Sequence, residues 1–382
     1  MVELQPSKLA MRVRFPSPAP SHLFPVWWTT ARTIRPEYVA RQADDDRFDI
    51  IGEKIPSTSR AWRHRRPTQV ALLVVASLAF GVAPVSSATR PRQWSPPHSL
   101  GDSRVQVTYA ISCRNATMCV VVDGLGQAMF RRSGRWTAPQ VVAAGGSFDA
   151  VSCASSTFCL ATASGNAVTY NGHTWSHAVS MGPSGYTYHV SCPSSSFCAA
   201  VGASGVAGQA NVIATYDGHS WKHSSVGGAH SPLDRLLGVS CPSLSFCAAV
   251  NFDGHASTFN GQRWTTSRNS LVPSLVSVSC PSRTFCMAVS VSGEAATMHG
   301  TSWSRARAIT GFSRDAAYTV SCATASRCEV LGLSGRAESW HDGQWSSPVV
   351  VFAGGVSAGV QVSCPSSGPC VAVTDHATSA SG

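Results

Sequence analysis

Fourteen cysteines stand in seven pairs, each written Cys-x5-Cys: Cys113/Cys119, Cys153/Cys159, Cys192/Cys198, Cys241/Cys247, Cys280/Cys286, Cys322/Cys328 and Cys364/Cys370. None is left over. Thiols at one fixed spacing can bind a soft metal or oxidise to disulfides. A zinc site takes ligands about two to four residues apart in sets of four, which five intervening residues fit poorly. No metal is expected, and the pattern reads as a disulfide framework of an oxidising compartment. A serine precedes each first cysteine, as at Ser152 and Ser191, and reads as a repeat position rather than as seven nucleophiles. His173/His177 and His219/His223 each bracket a tryptophan at a spacing that puts both on one strand face. Only two units carry such a pair, so these read as solvated outer-strand histidines.

Carboxylates are scarce. From Thr89 onward the glutamates are Glu294, Glu329 and Glu338, and none sits in a recognisable catalytic setting. A glycosidase needs two carboxylates about 5 Å or about 6.5–9.5 Å apart, a distance that spacing does not reveal. No cofactor motif is read.

The elements that must position these residues follow from an internal repeat. Successive first cysteines lie 40, 39, 49, 39, 42 and 42 residues apart, and periods of this length decide the fold. Each unit has a strand ending in Val-Ser-Cys (Ile-Ser-Cys in the first), a short turn, and a second strand from the other cysteine, as in FCAAV or FCMAV. A third strand runs into a glycine turn, and a fourth carries tryptophan, as in YNGHTWS and YDGHSWK. Short β-branched runs broken by Gly, Asn, Asp and Ser are strand and turn chemistry. Four strands in about 42 residues make one propeller blade. The expectation is an all-β, seven-bladed β-propeller over 89–382, with one disulfide inside each blade.

The ends of the repeat fit one another. The unit tryptophans are Trp94, Trp136, Trp175, Trp221, Trp264, Trp303 and Trp345; Trp94 precedes the first cysteine pair, and no tryptophan follows the last. HATSASG (376–382) aligns with HASTFNG (255–261) and stops where the tryptophan strand would begin. Arg92-Gln93-Trp94-Ser95 is therefore expected to finish the seventh blade and leave no open edge. Each cysteine pair then pins one antiparallel connection, contributing up to about 2 kcal/mol through a short closed loop. The tryptophans read as packing between blades.

Upstream, Arg60 to Arg66 is basic, Val70 to Ala83 is apolar and Val85-Ser-Ser-Ala88 has small residues at a cleavage site. That is the layout of a secretory signal peptide over 60–88. The apolar run is too short for the roughly 20 residues of a membrane span, so no stable membrane insertion is expected after cleavage. Residues 1–59 read as an upstream-assigned start or an unstructured extension. The net charge of +10 divides evenly: from Thr89 onward 17 Lys and Arg face 12 Asp and Glu. Those cations are scattered, whereas a phosphate-tracking groove needs them clustered; no nucleic-acid partner is expected.

The units, from VSCPSSSFCAAV (190–201) to YDGHSW (216–221), resemble the repeats of secreted bacterial β-propeller proteins grouped with sialidase-type (BNR, Asp-box) propellers. The resemblance spans about 92–382 and implies the propeller and an extracellular setting. The Asp-box pattern is similar to Ser-x-Asp-x-Gly-x-Thr-Trp. Here Asp217-Gly218-His219-Ser220-Trp221 lacks the residue between Asp and Gly, and other units place Asn171, Asn260 or His299 at the Asp position. Sialidase-like catalysis would imply an arginine triad, a tyrosine nucleophile with its glutamate and an aspartate acid, and no triad can be placed.

Function then falls to what the units do not share. The connections entering each first strand and those joining second to third strands open on one rim. There the third unit carries an insertion, Gly202 to Asn211, and the individual residues are Asp149, Tyr186, Tyr188, Asp234, Arg235, Arg314, Asp315 and Tyr318. Loops on a rigid scaffold are where binding residues concentrate. The reading is a secreted, monomeric, non-catalytic binding module for an extracellular glycan or envelope protein. A sialidase-like glycoside hydrolase or lyase, or a purely structural envelope component, are the alternatives.

Overall fold

A computed structural model of the chain describes residues 92–100, 108–143, 146–181, 189–202, 212–225, 235–312, 316–356, 359–375 and 378–382. The expected extension and leader, most of the third-unit insertion, and Tyr186, Tyr188, Asp234, Arg314 and Asp315 lie outside them.

The described residues form seven antiparallel sheets and no helix. Blade 1 is built from Thr108–Asn115, Met118–Asp123, Gln127–Arg132 and Arg135–Trp136. The first strands of blades 2 to 7 are Ala150–Ser155, His189–Ser194, Leu236–Ser243, Leu275–Ser282, Ala317–Thr324 and Val360–Ser363. Each first strand touches the first strand of both neighbouring blades, and those of blades 7 and 1 touch each other. The ring is closed.

The Val-Ser-Cys phrase explains itself in this ring. In every blade the serine Oγ accepts a hydrogen bond from the backbone N–H of the first cysteine in the next blade. Cys153, Cys192, Cys241, Cys280, Cys322 and Cys364 donate in turn to Ser112, Ser152, Ser191, Ser240, Ser279 and Ser321 at 2.9–3.0 Å. Cys113 N donates to Ser363 Oγ at 2.8 Å and completes the circle. The serines are thus structural acceptors between blades. A backbone donor facing the neighbouring sheet needs such a partner, because burying it unpaired costs about 1–3 kcal/mol.

All seven expected disulfides form, each within one blade. They are Cys113–Cys119, Cys153–Cys159, Cys192–Cys198, Cys241–Cys247, Cys280–Cys286, Cys322–Cys328 and Cys364–Cys370, with Cα–Cα separations of 3.9–4.1 Å. No described cysteine is free. Each bridge ties the end of a first strand to the start of the second across their tight turn, as where Cys113 faces Cys119 in blade 1. Seven such bridges place the folded domain in an oxidising environment. No helix of the described residues is long and apolar enough to cross a membrane.

The core lies between blades. Second strands are buried on both faces, as in Met118–Asp123 and Phe285–Ser290, which is why they read as continuous apolar runs. Seven apolar clusters fill the seven interfaces, and each includes one repeat tryptophan, Trp94 between blades 6 and 7 and Trp136 between blades 7 and 1. Trp136 Nε1 also donates to Ser379 Oγ of blade 7 at 3.1 Å. The Asx residues of the outer turns cap them: Asn171, Asp217 and Asn260 each accept two backbone N–H groups, before glycines at φ of 97°, 95° and 93°. That geometry is the left-handed region glycine tolerates.

The N-terminal segment lies on the outer side of blade 7. Ser95 N donates to Ser381 O at 2.7 Å, and the ladder continues as His98–Ser99 against Thr378–Ser381. The paired strand thus begins a few residues later than the tryptophan phrase suggests, because Pro96 and Pro97 lack the N–H that a ladder needs. Arg92 anchors the segment by donating to Gly382 O and pairing with the buried Glu329 of blade 6 at 3.0 Å.

Candidate binding face

The first strands deliver their leading residues to the ring axis. There they line a cavity of about 510 Å³ whose wall draws on all seven blades. The wall mixes shared residues of the repeat, such as Val151, Val190, Val320 and Val362, with residues that the units do not share. Asp149, His189, Tyr318, Gln361, Ser277 and Thr319 are the polar members near the strand starts, and serines of the inter-blade ring lie deeper.

Two of the eight sequence-predicted rim residues, Asp149 and Tyr318, line this cavity. Asp149 is held by Ser164 N, which donates to its Oδ2 at 3.0 Å. This bond joins the entry to a first strand with a second-to-third connection, the two loop sets assigned to one rim. Burial raises the Asp149 carboxyl above its usual range, against the lowering effect of that N–H. Burial likewise raises the Tyr318 phenol, which stays protonated at neutral pH. Arg235 is exposed at the foot of the blade 4 first strand, where its carbonyl accepts from Phe252 N at 3.0 Å; it is outside the cavity wall.

His189, Ser277, Thr319 and Gln361 are the residues that reading the loops missed. All four stand three positions before the first cysteine of their unit, where the other units have Ala110, Ala150 and Gly238. Variation at this one column, beside the invariant serine and cysteine, is the signal that could have found them. Burial pulls the His189 imidazole down to about 4, so it is neutral at pH 7. Thr319 Oγ1 donates to Gln361 Oε1 at 3.3 Å, and Ser277 Oγ accepts from Val320 N at 3.2 Å. The wall therefore presents neutral donors and acceptors fixed by their neighbours, with one carboxyl at its edge.

The disulfides belong to the scaffold and not to this wall. None of the fourteen cysteines lines the cavity. The second members, Cys119, Cys159, Cys198, Cys247, Cys286, Cys328 and Cys370, are the more deeply buried, at 0–2% exposure, because they open the strands covered on both faces. Their sulfurs are therefore packed away from any ligand at the axis.

The remaining titratable residues are placed elsewhere. Glu329 is buried between Arg92 and Ser339, whose Oγ donates to it at 2.8 Å. Glu338 is buried near Gly311, and Glu294 accepts from Ser292 Oγ at 2.9 Å in a turn. None of the three lines the axial cavity. No group of three metal-ligating side chains occurs among the described residues.

No protein-family model and no curated protein matches the chain. Solved structures do. The chain is similar to YCF48 bound to D1 peptide, at 14% identity with a TM-score of 0.58, covering 76% of this chain and 95% of that one. It is similar to YCF48 from Cyanidioschyzon merolae, at 13% identity and a TM-score of 0.57 over 75% and 98% of the two chains. The WD40 β-propeller domain of Doa1 is similar at 12% identity and a TM-score of 0.59, over 75% and 96%. At these identities the likeness shows the β-propeller fold, and it does not reach the sialidase-type subgroup.

Proposed function

We propose that the protein is exported and acts as a non-catalytic binding module, holding a segment of an extracellular or envelope protein across the axial mouth. One observation carries this reading: Asp149, His189, Tyr318 and Gln361, which the repeats do not share, converge on a single cavity. A neutral wall of fixed donors and acceptors suits peptide backbone and polar side chains, and pockets of this volume are ordinary ligand sites. The repeat tryptophans are engaged in the blade interfaces, which leaves Tyr318 as the described aromatic of the mouth and favours a protein segment over a glycan there. The structure of YCF48 with a peptide bound supplies a precedent for the fold. The loop residues Tyr186, Tyr188, Asp234, Arg235, Arg314 and Asp315 extend the same surface in this reading, and the leader over 60–88 accounts for export.

The test is to pan a random-peptide display library against residues 89–382 and measure the affinity of an enriched peptide. Tyr318→Ala with Gln361→Ala should weaken it at least about tenfold, the equivalent of losing one or two good hydrogen bonds. Failure to enrich any peptide, or unchanged affinity in that variant, would overturn the reading. So would turnover of a fluorogenic glycoside that disappears in Asp149→Asn, which would assign a hydrolase instead.

A further inference from the structure

A second concavity lies on the circumference, between blades 5 and 6, with a volume of about 690 Å³. Its floor is Phe285, Met287 and Ala295, and its rim carries Arg305, Arg307, His299, Asp342 and the indoles of Trp340 and Trp345. Two departures from the repeat meet there. The residue facing the repeat tryptophan across the outer hairpin is Tyr170, Tyr216, Phe259 or Met298 in blades 2 to 5; blade 6 puts Trp340 there. Trp340 and Trp345 stand edge to face at 5.1 Å, both partly buried. After the tryptophan, blade 5 reads Trp303-Ser304-Arg305-Ala306-Arg307, and no other unit has two arginines in this stretch. Both guanidiniums are exposed, on one face of the segment by their spacing, and neither forms an ion pair among the described residues.

We propose that this groove binds a short acidic oligosaccharide, distinct from whatever the axial mouth holds. Indole faces take the C–H faces of sugar rings, while guanidiniums pair carboxylates in a two-pronged geometry that lysine cannot match. Asp342 at the rim accepts from sugar hydroxyls. The matching groove between blades 2 and 3, about 600 Å³, has the aromatic pair Tyr216 and Trp221 with His219 and His223 but no arginine in its wall. It is the internal control: an aromatic pair at the same place in the repeat, without arginine in the wall.

The experiment titrates residues 89–382 with oligogalacturonate, with a neutral oligosaccharide of equal length and with oligoglutamate, following tryptophan fluorescence. Oligogalacturonate should give a saturable change that weakens as salt rises. Arg305→Ala with Arg307→Ala should reduce its affinity at least about tenfold, since charged hydrogen bonds are the stronger kind. Trp340→Phe should retain folding by circular dichroism yet lose affinity, and His219→Ala with His223→Ala should change nothing. Equal binding of the neutral sugar, equal binding of oligoglutamate, or an arginine variant that binds as the parent does would each overturn the proposal. Absence of any binding by oligogalacturonate would do the same, and none of these results bears on the axial reading.

Discussion

Cys113 N donates to Ser363 Oγ at 2.8 Å, across 250 residues of sequence. It is chemically the same bond that joins every other pair of neighbouring blades, so the seam between the first and last units is built like an internal interface. Circularity therefore does not rest on a special clasp. Seven equal serine–amide bonds and seven tryptophan-bearing clusters share it.

The first prediction follows from that equality. Ser240→Ala, at an interior seam, and Ser363→Ala, at the closing seam, should each cost about 1–3 kcal/mol, because a part-buried N–H loses its acceptor. Thermal or denaturant unfolding measures both. Near-equal losses are expected, and a closing-seam loss far below the interior one would mean the ring opens there in solution.

A second prediction concerns Arg92 and Glu329, whose atoms meet at 3.0 Å although one belongs to the N-terminal segment and the other to blade 6. Arg92→Ala removes the partner of a carboxyl that burial already holds at about 7, so the loss should be small near pH 7 and grow towards about 3–5 kcal/mol as pH rises well above it. Glu329→Gln leaves the Arg92 guanidinium, which is the more exposed of the two, without its partner and should cost less. A double-mutant cycle on unfolding free energies would reveal their coupling, and additive effects would contradict it.

Third, blade 6 should make stability depend on pH. Burial raises Glu329 to about 7 and Glu338 to about 7. A carboxyl with a raised folded pKa favours the protonated, folded form. Its contribution is fully present below the ordinary value of 4.5, fades as pH climbs, and is gone above about 7. His189, lowered to about 4, acts with the opposite sign: its neutral form suits the fold, so stability falls as pH drops from 6.5 towards 4. Glu338→Gln should flatten the decline between pH 4.5 and 7 and leave the acid-side limb of His189 in place. An unchanged profile in that variant would remove Glu338 from the account.

Fourth, denatured protein from an oxidising host should titrate with almost no free thiol, and reduction should lower the melting temperature in a graded way. Each bridge closes a short loop worth about 2 kcal/mol at most, so replacing a single pair, Cys192→Ser with Cys198→Ser for example, should still allow folding. Abolition of folding by one pair alone would show a larger role than loop closure allows.

The fold was legible because it repeats. Seven fixed cysteine spacings counted the blades, whereas the two-residue strand at the seam, His98–Ser99, falls later than the Arg92–Ser95 phrase that Trp94 marks. What escaped was the polar pairing between units. Glu329 reads as one of three glutamates, and only the ring brings it to Arg92. His189 and Gln361 look like ordinary strand residues until the ring sets their strands side by side around one cavity. Arg305 and Trp340 belong to different blades and meet only because those blades are neighbours. Repetition identifies what is common, whereas sites are made where unshared residues of separate units converge.

The most direct test of the account is amide hydrogen exchange over residues 92–100. Ser95 N is bonded to Ser381 O, and His98–Ser99 pairs with Thr378–Ser381. The Ser95 amide and the one amide of His98–Ser99 that faces the partner strand should exchange far more slowly than those of an unstructured chain, and faster than those of the buried blade 7 strand Val371–Thr374. Exchange at the rate of an unstructured chain, beside a protected blade 7, would contradict the shared seventh sheet.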